Sequence, residues 1–340
     1  MKTLYFYIGQ PTTSGSSLNF FLSKNADILN KNGIGFPKLV NIKDMYNEHL
    51  VFDENEPGII MKKSIMNQID IDKEVKTNEF RDERKQILKN MCEKYDNVIL
   101  ADETFYQFAS NNDVLRNFRE AAENIGFDKV IFVLFLRRQD RYMHSLYIEN
   151  LLSGKEYRTF DEFIKQTINE TSLLDYHNTI TQIEQIYGQD SLRIAQYNEK
   201  RENIVRRFFE ICRLPFPNEA QAVLTKKPLH MSLHHCEAKR MINIMTNALN
   251  LRYLLTEITQ RCKLYFNIFT VSYQPFISKR QLQEVLNHYM NGNNAIFNRY
   301  ELPPFDLSDI ENMEDEYDNT IDSNSLMPII RDMLKMNNHV

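Results

Sequence analysis

Four short, continuous apolar runs stand out along the chain, at Leu4 to Ile8, Val98 to Ala101, Val130 to Leu136 and Leu192 to Tyr197. Each is bounded by polar residues, the pattern of a strand buried on both faces of a parallel sheet. Between them the apolar positions recur with helical period, at Ser16 to Asn32, Glu83 to Lys94, Asp113 to Asn124, Arg141 to Leu152 and Leu174 to Tyr187. Strands alternating with helices predict an α/β fold, a central parallel sheet with helices on both faces.

The pattern changes near Pro217. Beyond it strand signals fade and helical spacing takes over, at Cys236 to Asn247, Asn250 to Phe266 and Lys279 to Met290. The expected organisation is an α/β core over residues 1–217 and a mostly helical subdomain or lid over 218–340, packed on that core. Residues 53–84 are polar and irregular, and read as an insertion near the mouth of the sheet. The acidic stretch "DLSDIENMEDEYDNTID" reads as solvated surface. No internal repeat is present.

Composition narrows the classes of function. The 340 residues are 42% hydrophobic, enough to bury a sizeable core. A net charge of -5 argues against a general nucleic-acid or anionic-membrane binder, and leaves only a local basic pocket open. "MKTLYFYIG" reads as a first strand and not as a signal peptide, and no segment approaches a membrane span. Cys92, Cys212, Cys236 and Cys262 lack CxxC spacing, so they read as buried free thiols of a reducing cytoplasm. His230, His234, His235 and Cys236 cluster in sequence, but "LHMSLHHCEAKRMINIM" reads as a helix start capped by Ser232, and no metal is expected.

Two stretches carry anion chemistry. In an open parallel sheet, ligands sit beyond the carboxyl ends of the strands, where loops enter helix N-termini. "YIGQPTTSGSSLNFFL" is such a place: Gly15 permits a tight turn, Thr12, Thr13, Ser14, Ser16 and Ser17 offer hydroxyls, and the following helix offers free N–H groups. An ordinary Ser-capped helix start reads the same way, and the G-x-x-x-x-G-K-[ST] loop of nucleoside-triphosphate enzymes is missing. The second stretch, "VIFVLFLRRQDRYMHSLYIENLLSG", runs from a strand directly into a helix, with Arg137 and Arg138 at the strand end and Ser145 on the helix. A guanidinium there can grip a phosphate in a forked way. Two such loops at neighbouring strands suit a ligand with phosphates at both ends.

Together these motifs resemble bacterial sulfotransferases of the P-loop-like fold, the type that modifies capsular or other surface glycans. Their first motif reads roughly IGxPKTGTTSLQxFL and is followed by a GIxYP element; their second reads YLRRQDxxxASLYxxxxxxG. The similarity continues through "KKPLHMSLHHCEAKRMINIM" and "NGNNAIFNRYELPPF", and so covers most of the chain. It implies a three-layer sandwich of the P-loop NTPase type and a donor, 3′-phosphoadenosine-5′-phosphosulfate (PAPS), that leaves as 3′-phosphoadenosine-5′-phosphate (PAP). By motif position, Thr12, Thr13, Ser14, Gly15, Ser16 and Ser17 form the 5′-phosphosulfate loop, and Arg137 and Ser145 hold the 3′-phosphate. Thr12 stands where the family has lysine, and Ser14 where it has glycine. That lysine stabilises charge on the bridging oxygen, and losing such a preorganised charge costs about two to three orders of magnitude in rate. Lys43, Lys62 and Lys63, from the polar insertion and the stretch before it, are candidate cations to take its place.

Sulfuryl transfer to a hydroxyl needs a base. Asp102 and Glu103 follow the strand in "NVILADETFYQF", and the resemblance favours Glu103; Asp102 also reads as a structural carboxylate. His49, in "MYNEHLVF", is the rival, with a near-neutral pKa suited to the task. His144 reads as packing. The expected function is a cytoplasmic PAPS-dependent sulfotransferase acting on a carbohydrate or glycolipid hydroxyl. A weak or inactive protein of that fold, binding a nucleotide or glycan, is the alternative. An ATP-dependent kinase is a third reading, weakened by the missing phosphate-loop lysine and the lack of a clear magnesium-holding aspartate.

Overall fold

The computed structural model describes residues 1–10, 15–37, 50–53, 56–61, 85–170, 172–197, 204–220, 231–249, 257–258, 260–262, 265, 277–310, 313 and 323–335; side chains are not described at 15, 16, 50–53, 56–61, 103, 104, 170, 172, 323 and 324. These residues fall into two compact units. The first comprises Met1–Arg137, Asp175–Thr225 and Gly292–Pro303; the second comprises Arg138–Leu174, Lys226–Asn291 and Pro304–Val340.

The first unit is a three-layer α/β sandwich. Its sheet holds β1 (Thr3–Tyr7), β2 (Ile34–Gly35), β5 (Asn97–Ala101), β6 (Lys129–Leu136) and β7 (Leu192–Gln196), in the order β2-β5-β1-β6-β7. Every pairing among them is parallel. A separate antiparallel hairpin joins β3 (Leu50–Asp53) to β4 (Glu56–Met61). Alternation along the strands sends side chains to two faces. On one face Tyr5, Tyr7, Ile131, Val133 and Phe135 pack with Leu18, Phe21 and Leu22 of α1 (Gly15–Lys24) and with Phe208 and Phe209 of α8 (Ile204–Cys212). On the other, the Phe6 ring meets Phe118 of α4 (Asn112–Ile125) at 5.0 Å, and Phe132 meets Tyr187 of α7 (Tyr176–Tyr187) edge-on at 4.8 Å. Both faces are therefore closed by helices, which is why the strands read as unbroken apolar runs.

The single helix expected over Ser16 to Asn32 is two, α1 and α2 (Ala26–Lys31). Buried Asn25 stands between them with non-helical backbone angles (φ -105°, ψ 14°), and its side-chain amide shares the Phe21 carbonyl, at 2.9 Å, with its own backbone N–H. Helix α3, residues 85–94, precedes β5.

The second unit is helical as described. It contains α5 (Gln139–Leu152), α6 (Phe160–Glu170), α9 (Leu233–Ala248), the final helix Ser323–Lys335, and the first part of the long helix Lys279–Arg299, whose residues from Gly292 onward belong to the first unit. Tyr142, Tyr147, Leu151, Phe163, Ile242, Leu282, Ile330 and Met333 share its core. Ser232 caps α9 as expected, accepting from the His235 N–H, and all four cysteines are buried free thiols. No helix among the described residues is long and apolar enough to cross a membrane.

Candidate functional site

The carboxyl edge of the first unit's sheet gathers the residues with chemistry. Tyr7 of β1 lies level with Ala101 of β5 and Val133 of β6, so the chain leaves β1 three residues before it leaves β6. Gln10 thereby comes level with the end of β6, and its Oε1 accepts a 2.9 Å hydrogen bond from the Arg137 N–H. The first residues of one anion motif are thus tied to the arginine of the other. Tyr176, at the start of α7, donates its hydroxyl to the Arg137 carbonyl at 2.5 Å. The Arg137 guanidinium lies over the Tyr197 ring, 5.4 Å from its centre, just past the end of β7.

Gly9 makes the departure from β1 possible. A Cβ at Gly9 would stand 2.1 Å from the Tyr7 hydroxyl, and Tyr7 is fully buried and has no room to yield. The loop then delivers the chain to α1, which begins at Gly15. Its first turn carries no acidic residue, so the unsatisfied N–H groups and positive end of the helix dipole are not neutralised from within. Ser17 is buried in that first turn. At the next strand, the Asp102 N–H donates to the Tyr7 carbonyl at 2.9 Å, and the residue is buried. Glu103 opens the 3-10 turn Glu103–Phe108 directly after β5. Beneath this edge Tyr106 is fully buried, and burial pushes its phenol well above the ordinary range.

The fate of the other sequence candidates is mixed. Gly15 and Ser16 begin α1. Thr12, Thr13, Ser14, His49, Lys43, Lys62 and Lys63 lie outside the described residues. Ser145 is a half-buried residue of α5 in the second unit. His144 packs its ring edge-on against Phe160.

Arg138 takes a different role from its neighbour. In the second unit it is held by two carboxylates: Asp140 receives Nε and Nη2 at 2.7 and 3.0 Å, and Asp309 receives Nη1 and Nη2 at 2.6 and 2.8 Å. Arg141 also bonds Asp309. Burial opposes ionisation of Asp309, but the bonds and charges of Arg138 and Arg141 outweigh it and hold the carboxyl below its usual range. Asp309 therefore anchors Arg138, although it belongs to the stretch that reads as solvated surface. Among the described residues, no group of three or more His, Cys, Asp or Glu is placed to hold a metal ion.

Sequence reasoning missed Gln10, Tyr176 and Tyr197 as parts of this site. Gln10 sits inside the quoted motif, and its position before Pro11 was the available signal. Tyr176 and Tyr197 act across 39 and 60 residues of chain, and nothing local marks them.

No family model and no curated protein matches the chain. Among solved structures it is similar to one titled a sulfotransferase from Alicyclobacillus acidocaldarius, with 11% identity and a TM-score of 0.47 over 92% of this chain and 99% of that one. So loose a superposition leaves the chemistry to be argued from the residues themselves.

Proposed function

We propose that this chain is a cytoplasmic sulfotransferase that passes the sulfuryl group of PAPS to a hydroxyl of a glycan or glycoconjugate. The observation that carries this reading is the Gln10–Arg137 hydrogen bond, which joins the loop after β1 to the arginine at the end of the adjoining strand. One phosphate group is then met by Thr12 to Ser17 and the acid-free start of α1, and the other by Arg137. In the reaction the acceptor oxygen forms a bond to sulfur as the bond from sulfur to the bridging phosphate oxygen breaks. The acceptor proton passes to a base, Glu103 or His49, and PAP leaves with the electron pair of the broken bond. Support for Glu103 comes from its position after β5, the strand paired with β1.

A second reading is favoured by one residue. Thr12 replaces the family's lysine, and a protein of this kind without another cation binds nucleotide but turns over little. A turnover assay with PAPS and a panel of glycan acceptors separates the two, with Thr12→Lys alongside the wild type. Sulfation by the wild type, accelerated in Thr12→Lys, supports a weak enzyme limited by the missing charge. No turnover by either protein, with PAP still bound, supports the binding protein. Preference for ATP over PAP contradicts both and returns the kinase reading.

A further inference from the structure

We infer that Gln10 and Tyr176 are positioning residues that set Arg137 for recognition of a 3′-phosphate, an inference that rests on the donor-site reading above. β6 ends at Leu136, whose carbonyl still receives the last sheet bond, from the Tyr197 N–H at 2.8 Å. Arg137 lies one residue beyond that ladder and is 6% exposed. A peptide unit so placed must find partners other than strand neighbours, because buried N–H and C=O groups left unmade cost free energy. The two partners come from separate elements. Gln10, in the loop after β1, accepts from the N–H; Tyr176, at the start of α7, donates a hydrogen bond to the carbonyl.

Gln10 is 0% exposed and Tyr176 1% exposed, so the bonds are sheltered from competition with bulk water. Tyr197 adds a third support by lying under the guanidinium. Backbone and side chain of Arg137 are thus fixed from three directions. That arrangement suits a forked contact with a phosphate, whose strength depends on the guanidinium being held in place before the ligand arrives.

The test compares affinities for PAP and for AMP, which lacks the 3′-phosphate, in the wild type, Arg137→Ala, Tyr176→Phe and Gln10→Met. Tyr176→Phe keeps the ring and removes only the hydroxyl; Gln10→Met keeps the length and removes the acceptor. Melting temperatures are recorded in parallel, and if Gln10→Met fails to fold, Tyr176→Phe decides. The expected result is a PAP preference in the wild type, lost in Arg137→Ala, and lowered on the order of tenfold in each positioning variant with AMP affinity unchanged. A merely structural role would lower the melting temperature and leave the ratio of affinities intact. If Arg137→Ala loses the preference while both positioning variants retain it, the inference is overturned and the donor reading stands. If the wild type shows no preference for PAP, both fall together.

Discussion

Gly9 shows how a single residue governs the candidate site. Its lack of a side chain lets the chain turn away from β1 across the Tyr7 hydroxyl, which a Cβ would meet at 2.1 Å. Gly9→Ala is therefore expected to displace the loop that leads to α1, weakening nucleotide binding at least tenfold while the rest of the sheet stays folded; calorimetry and circular dichroism on the same protein check both halves. Lys239 makes a different point. It is fully buried in the second unit, bonded to Asn243, and burial lowers its pKa from 10.5 to about 8. The folded state thus releases the lysine's proton before the unfolded state does, so this group's contribution to stability rises with pH between those two values. Denaturant titrations of the wild type and Lys239→Met across that window should show the wild type gaining on the variant by on the order of 3 kcal/mol. A difference that stays flat with pH would show that Lys239 is not desolvated as described.

At the scale of elements, much was legible in the sequence. The four apolar runs are β1, β5, β6 and β7 within a residue at either end, because a strand covered on both faces leaves an uninterrupted apolar signature. The helix over Asp113 to Asn124 is α4, bounded by signals that act locally. Asn111 caps it through the N–H groups of Asp113 and Val114, and Gly126 ends it in the left-handed region at φ 112°. Gly126→Ala should cost about 1 kcal/mol, read as a lower melting temperature, because only glycine adopts that conformation without strain. The misses have physical causes too. Two-residue β2 is too short to leave a pattern, and Pro57 and Gly58 disguise β4, which is stabilised by pairing with β3 and not by propensity. The break between α1 and α2 falls at Asn25, whose backbone angles leave the helical range at a point that periodicity does not register. The site divides along the same line. Gly15 and Arg137 carry a signal in motif and position, and their roles in the site are proposals; Tyr176 meets Arg137 through a bond to a distant carbonyl that nothing local marks.

For the molecule as a whole, the two compact units interleave in sequence, and the chain passes from one to the other at the Arg137–Arg138 peptide. The adjacent arginines accordingly do separate work. Arg138 is neutralised by Asp140 and Asp309 within the second unit, while Arg137 lies at the sheet edge of the first. With a net charge of -5, the proposed nucleotide site draws on local cations such as Arg137 and not on a chain-wide positive excess. On the proposed reading this edge binds a nucleotide phosphorylated at both the 3′ and 5′ positions. Calorimetric titration of the protein with PAP, beside ATP and AMP and repeated on Arg137→Ala, is the decisive measurement: tight, selective binding of PAP that is lost in Arg137→Ala is expected, and absence of PAP binding by the wild type would overturn the reading.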